Sequence, residues 1–251
     1  MGLSQTYAGG TKMKRSILGF PALLALACMA PAALAVDHGQ EQGQRVYTYA
    51  VQIDANGEVQ QISRYGGTAD AVGQELEDQA RSWLFNAEGR SGDAAGSEFR
   101  TFLRLVVAPG AVAGDYELVS ATTGPAPRHL VLPQYPVREQ REGREGTVVM
   151  KLDIGQDGRV TSAEVDSVHG NVSRNMVASA SHAAAQWRFA PERVDAQTVG
   201  STVLWPVCFL GAATSATECA WSGPQAQRYS SKMVLALDPV ASRVTPLAFE
   251  D

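Results

Sequence analysis

Apolar and polar positions alternate in two well-separated stretches of the chain. Tyr47, Tyr49, Val51 and Ile53 are interleaved with Thr48, Ala50 and Gln52, and Val148, Met150, Leu152 and Ile154 repeat the pattern. A period of two predicts a β-strand with one buried face. Each run leads into a hairpin signal, Asn56-Gly57 in one case and Asp157-Gly158 in the other, because glycine reaches positive φ without steric cost. Return strands are expected over residues 59–62 and 160–165. The period then lengthens to that of a helix. Val72, Leu76, Ala80 and Trp83 share one helical face, and so do Met176, Ala180, Ala184 and Trp187, with Ser173 as N-cap. A last strand is expected over residues 99–107 and again over 202–209.

The two segments, residues 46–107 and 147–210, follow one grammar. Ile53/Ile154, Gly57/Gly158 and Val59/Val160 are each 101 residues apart. Trp83/Trp187, Phe85/Phe189, Gly96/Gly200 and Ser97/Ser201 are each 104 apart. One three-residue change between hairpin and helix accounts for both offsets, which reads as a duplicated unit. The expected fold is α+β: two tandem small units, each an antiparallel three-stranded sheet packed by one helix. The units would span residues 36–107 and 133–210. Residues 108–132, rich in Ala, Gly and Pro, read as a linker. Residues 211–251 form a C-terminal extension whose apolar run, 233–237, could supply one further strand.

Residues 133–209 carry four short motifs in register. They are Pro133, Tyr135 and Pro136 (P-x-Y-P); Glu145-Gly146-Thr147-Val148; Asp157-Gly158-Arg159-Val160; and Trp187-Arg188-Phe189-Ala190-Pro191. In this order and at this spacing the segment resembles the TonB C-terminal domain family. The first unit resembles a degenerate copy, because Trp83-Leu84-Phe85 lacks the following proline and no P-x-Y-P precedes it. The resemblance implies a protein or peptide partner, such as an outer-membrane TonB-dependent receptor, held by strand addition to a sheet edge. The matching edge would be the last strand, with Thr202, Val203, Leu204, Trp205, Val207 and Phe209 as the partner-binding residues. Pro206 within it lacks an N–H donor, which favours an edge position. Trp187 reads as the anchor of the helix on its sheet, and Arg188 faces either solvent or a partner carboxylate.

The amino terminus reads as an export signal. Lys12, Lys14 and Arg15 precede the apolar run 17–29, and Ala33-Leu34-Ala35 supplies the small residues for cleavage, giving residues 1–35 as signal peptide and a start near Val36. Met1 and Met13 are both open as initiators. Pro21 and Pro31 argue against the alternative, an uncleaved inner-membrane anchor. Cys28 is a weak match to a lipidation site, since Ala25 stands where leucine is usual. Energy transducers of the resembled family keep an anchor and a long Pro-rich spacer, whereas only residues 36–45 separate this signal from the first unit. The expectation is a periplasmic module without direct proton-motive coupling. A membrane-anchored energy transducer is one alternative. A structural envelope protein or homodimer, whose units pair only with each other, is another.

Composition sharpens this picture in two places. The net charge of −5 and the lack of a basic block argue against nucleic acid as a partner. With the signal removed, Cys208 and Cys219 remain, and an oxidising compartment favours one disulfide between them. No catalytic set is evident. His38, His129, His169 and His182 are scattered without metal-ligand spacing, and no nucleophile elbow or phosphate loop occurs. Neither enzyme activity, a metal nor a cofactor is expected.

Overall fold

The computed structural model describes residues 44–67, 69–86, 97–112, 114–211 and 234–246, together with the backbone of 221–222 and 228–229. The expected signal segment lies outside the described residues. The first half contains β1 (Arg45–Ile53), β2 (Val59–Arg64), α1 (Ala71–Ala80), β3 (Phe85–Asn86), β4 (Phe99–Pro109), β5 (Tyr116–Gly124) and β6 (Ala126–His129). The second half begins with α2 (Val137–Arg141), β7 (Gly146–Ile154), β8 (Val160–Gly170), α3 (Arg174–Ala184) and β9 (Arg188–Ala190). It continues through β10 (Arg193–Val194), β11 (Gln197–Thr198) and β12 (Ser201–Phe209). The tail adds β13 (Trp221–Ser222), β14 (Arg228–Tyr229), β15 (Leu235–Ala236) and β16 (Ser242–Arg243).

The molecule is α+β with antiparallel sheets, and the order strand, strand, helix, short strand, strand occurs twice. One sheet runs β11-β10-β4-β1-β2, with β5 also on β4, and the other runs β15-β12-β7-β8. Each is therefore wider than three strands. The helices form where their apolar faces find a sheet. Asp70 caps α1 by accepting from Gly73 N, and Ser173 caps α3 by accepting from Met176 N. Leu76 and Ala80 of α1 pack on Tyr49, Val51, Leu103 and Leu105, while Met176, Ala180 and Ala184 of α3 pack on Val148, Met150, Leu152 and Val203. Trp83 and Trp187 lie just beyond the helix ends and fill the same two cores.

Residues 108–132 differ from the expected linker. They carry β5, which pairs with β4 from Phe102↔Gly124 to Pro109↔Tyr116, and β6, which pairs with β9 of the other half. Their Ala, Gly and Thr content hides the strand because the pairing is long-range and one side of β5 is only half buried. Three other strands extend beyond their expected ends, β2 to Arg64, β4 to Pro109 and β8 to Gly170. The apolar run in the tail does contribute a strand, β15, on the outer side of β12.

The two sheets meet through the faces turned away from their helices. Val106 of β4 packs with Val149 of β7 and Leu204 of β12, with Val46, Val119 and Leu235 at the margin. A buried carboxylate joins the halves. Glu192 accepts from Thr101 Oγ1 at 2.6 Å, Ser201 Oγ at 3.1 Å and Val240 N at 3.3 Å. These three donors come from β4, β12 and the tail, which pairs a polar group that would otherwise be expensive to bury.

Candidate partner-binding site

The motif residues form a frame around β12. Gly158 sits at φ +77 with its Cα against the Phe189 carbonyl, where any Cβ would overlap that oxygen. Phe189 N donates to Gly158 O at 2.8 Å, so the hairpin tip is tied to the segment after α3. Val160 and Phe189 enter the second core, and Pro191 packs beside Gly158. Gly146 has the same constraint, since a Cβ there would strike the His169 carbonyl. Tyr135 lies edge-on to Phe209 at 5.3 Å between ring centroids and donates to the Arg144 carbonyl. Its flanking prolines, Pro133 and Pro136, are half-buried, and Pro136 precedes α2 in extended conformation.

Trp187 serves as the expected anchor. Its Nε1 donates to Val131 O at 2.7 Å, and its ring lies 5.0 Å from that of Trp205. Arg188 turns back to the chain: Nη1 donates to Gln186 O at 3.1 Å and to Trp187 O at 2.8 Å, beside the C-terminal end of α3. Trp187 is buried in the second core, whereas Arg188 stays half-buried.

Residues Thr202–Phe209 form most of β12, which pairs with β7 along its whole length. Its other side is not an open edge throughout. Val203 pairs with Ala236 and Leu204 with Leu235, both from the chain's own tail. Thr202 N donates to Asp238 Oδ1 at 2.8 Å, and Leu237 N donates to Thr202 O at 2.8 Å. The backbone groups of Thr202 therefore point outward, and by alternation those of Leu204 and Pro206 do too, while Val203, Trp205 and Val207 bond to β7. This explains how a proline sits in a strand paired on both sides. The donor it lacks faces outward, so the ladder to β7 loses nothing, and the pairing with β15 ends at Leu204. Val203, Trp205, Val207 and Phe209 face the second core, whereas Leu204 faces the other sheet. Cys208 has its Sγ 3.6 Å from Thr147 Oγ1, and Cys219 lies outside the described residues.

A small cavity lies at the end of the tail segment, lined by Phe102, Arg104, Thr122, Thr123, Gly124 and Val234 among others. Burial pulls the Arg104 guanidinium down to about 10, still cationic at neutral pH, and it stands 5.8 Å from the Trp205 ring centroid. Among the described residues no group of three or more His, Cys, Asp or Glu could hold a metal ion. No helix among them is long and apolar enough to cross a membrane.

Residues 131–210 match the family model of the Gram-negative bacterial TonB protein C-terminal. This segment belongs to the TonB C-terminal domain family. Proteins named TonB from two strains of Xanthomonas campestris pv. campestris are 29% identical to the chain over 91 residues. That stretch is 36% of this chain and spans 40% of each relative's length. The four motifs of the TonB C-terminal segment are thus a frame: they lock the hairpin, the end of α3 and the last strand together. Sequence reasoning missed Asp238 and Glu192, because each acts on backbone or hydroxyl groups far away in the chain and neither belongs to a periodic pattern.

Proposed function

We propose that the protein is a periplasmic protein-binding module of the TonB C-terminal type, associated with TonB-dependent transport, that takes an extended segment of an outer-membrane receptor beside β12. The observation that carries the reading is the contrast between the two sides of that strand. The β7 side is paired at nine successive positions, and the outer side at two. An extended segment in the place of β15 would take the outward backbone groups of Thr202 and Leu204 that the tail now holds, and strand addition draws its affinity from such groups. In this reading the chain is no enzyme, its signal is removed near Ala35, and Cys208 and Cys219 form a disulfide in the oxidising compartment.

The first experiment is a titration of the isotopically labelled, folded protein with a short extended peptide from a receptor of this class, followed by backbone amide shifts. Shifts concentrated at residues 202–209 are expected. Unmoved amides throughout β12 would remove the reading. The self-contained structural alternative has its own support, since β5 closes the outer side of β4 and β15 closes part of β12; it predicts no shift at either strand. Intact mass of fractionated periplasm and membrane tests location, with a soluble species beginning near Val36 expected.

A further inference from the structure

The two sheets close their outer sides very unequally. Beyond β4 lie β5, paired from Phe102 to Pro109, and β10, paired at Phe99 and Arg100. The opposite edge strands are blunted. β8 carries register shifts where it pairs with Val149/Met150 and with Asp153/Ile154, and β2 carries one opposite Gln52/Ile53. Such bulges interrupt the regular row of donors and acceptors that an incoming strand requires. Among the described residues, the outer side of β12 runs without a register shift, lacks a donor at Pro206 and is held by two pairs.

The resident on that side is built like a ligand. Ala236 stands opposite Val203 with its methyl in the second core, and Val234 joins the same core. Leu235 points the other way, into the cluster between the sheets. Gly124 borders the channel at φ +145, and a Cβ on it would come within 2.6 Å of the Ala236 methyl. The wall at this point therefore admits a small side chain and little more. At the far end, Asp238 accepts from Thr202 N, the outward donor of β12 nearest its start. Thr122 Oγ1 donates to Val234 O at 3.3 Å, holding the segment from its other side. The chain after it is fixed independently. Val240 and Ala241 are buried in the first core, Thr123 Oγ1 donates to Ala241 O, and β16 pairs with β3.

From this arrangement we infer that residues 234–238, Val-Leu-Ala-Leu-Asp, are a built-in occupant of the partner groove. They exchange with an extended partner segment of the same pattern: apolar, apolar, small, any residue, acidic. The inference rests on the strand-addition reading and specifies the peptide class. Exchange needs only local opening of residues 234–238, because the anchors at Val240, Ala241 and β16 stay in place. The resident competes as an intramolecular strand at high effective concentration, which sets the affinity that a partner must exceed.

The test uses the full chain and a peptide copying residues 232–240, KMVLALDPV. In Asp238→Ala the resident loses its contact to Thr202 N, and the peptide is expected to bind about tenfold more tightly than to the unaltered protein. A peptide with leucine at the position of Ala236 is expected to lose that binding. Val203→Cys combined with Ala236→Cys places thiols at directly opposed positions. Once oxidised, it is expected to abolish binding, while the two single variants retain it. Equal binding by the oxidised double variant and the single variants would overturn the inference, and so would equal binding of the leucine peptide. A receptor peptide that binds the oxidised variant undiminished would overturn exchange at β12 while leaving partner binding intact. If KMVLALDPV enters Asp238→Ala as expected but the receptor peptide never binds, the exchange stands and the transport reading falls.

Discussion

Gly57 and Gly158 hold equivalent places in the two halves and meet equivalent obstacles. Each has positive φ, +83 and +77, and each leaves no room for a Cβ against the carbonyl of Phe85 or Phe189. Phe85 N donates to Gly57 O at 2.9 Å, matching the 2.8 Å bond from Phe189 N to Gly158 O. The glycines were legible in the sequence as turn residues, whereas the close approach of a distant backbone was not. The consequence is measurable. Gly158→Ala should destabilise the protein by about 2 kcal/mol or more, beyond what positive φ alone costs, because both strain and overlap must be relieved. Chemical denaturation gives the value, and a loss under about 0.5 kcal/mol would show that the Phe189 contact yields freely.

At the scale of elements, α2 and α3 are joined through Glu139, whose side chain was not singled out by any motif. It accepts from Ser173 Oγ at 2.9 Å and from Asn175 Nδ2 at 2.8 Å, at the N-terminal end of α3. The Ser173 hydroxyl, then the Asn175 amide, hold its carboxyl below the ordinary value of 4.5. A carboxyl depressed on folding adds stability above its unfolded pKa and loses it as pH falls through the folded value. Thermal unfolding followed from pH 6 down to pH 3 should therefore show a smaller fall in Tm for Glu139→Gln than for the unaltered protein, confined to the region below about 4.5. Parallel curves for the two proteins would assign the acid sensitivity to other groups, Asp70 among them. Burial disfavours the charged form of Asp70, but donation from Gly73 N and Tyr47 Oη and the nearby Arg45 and Arg64 outweigh it. Helices α1 and α3 themselves were readable from their apolar faces, and α3 also from its cap, Ser173, whereas the Asp70 cap of α1 came from the structure. β5 was not, since its neighbours in the sheet are supplied by long-range pairing.

For the molecule as a whole, the crossing of the chain between halves matters most. β6 pairs with β9 of the second half, β10 pairs with β4 of the first, and the tail passes from β12 to β3. Glu192 stands where these paths meet. Replacing it by alanine leaves the hydroxyls of Thr101 and Ser201 and the N–H of Val240 without that acceptor in a buried place. A loss of about 3 kcal/mol is expected for Glu192→Ala, the scale of a buried hydrogen-bond network left without its acceptor. Because the halves share strands, urea unfolding should remain a single transition with the same midpoint by tryptophan fluorescence and far-ultraviolet circular dichroism. Two separated midpoints would mean that the halves are held together only weakly.

The sequence by itself determined the strand-turn-helix-strand order, the Ser173 cap, the glycines at the hairpins and the motifs of residues 133–209. These depend on local periodicity, on φ and on side-chain size, all of which act over a few residues. Only the tertiary structure decided which strands flank β4 and β12, that residues 108–132 pair rather than link, and that Pro206 turns its missing donor away from β7. Those outcomes depend on which distant backbone groups find each other when both cores close. A buried N–H or C=O must be paired somewhere, but nothing local says with which part of the chain.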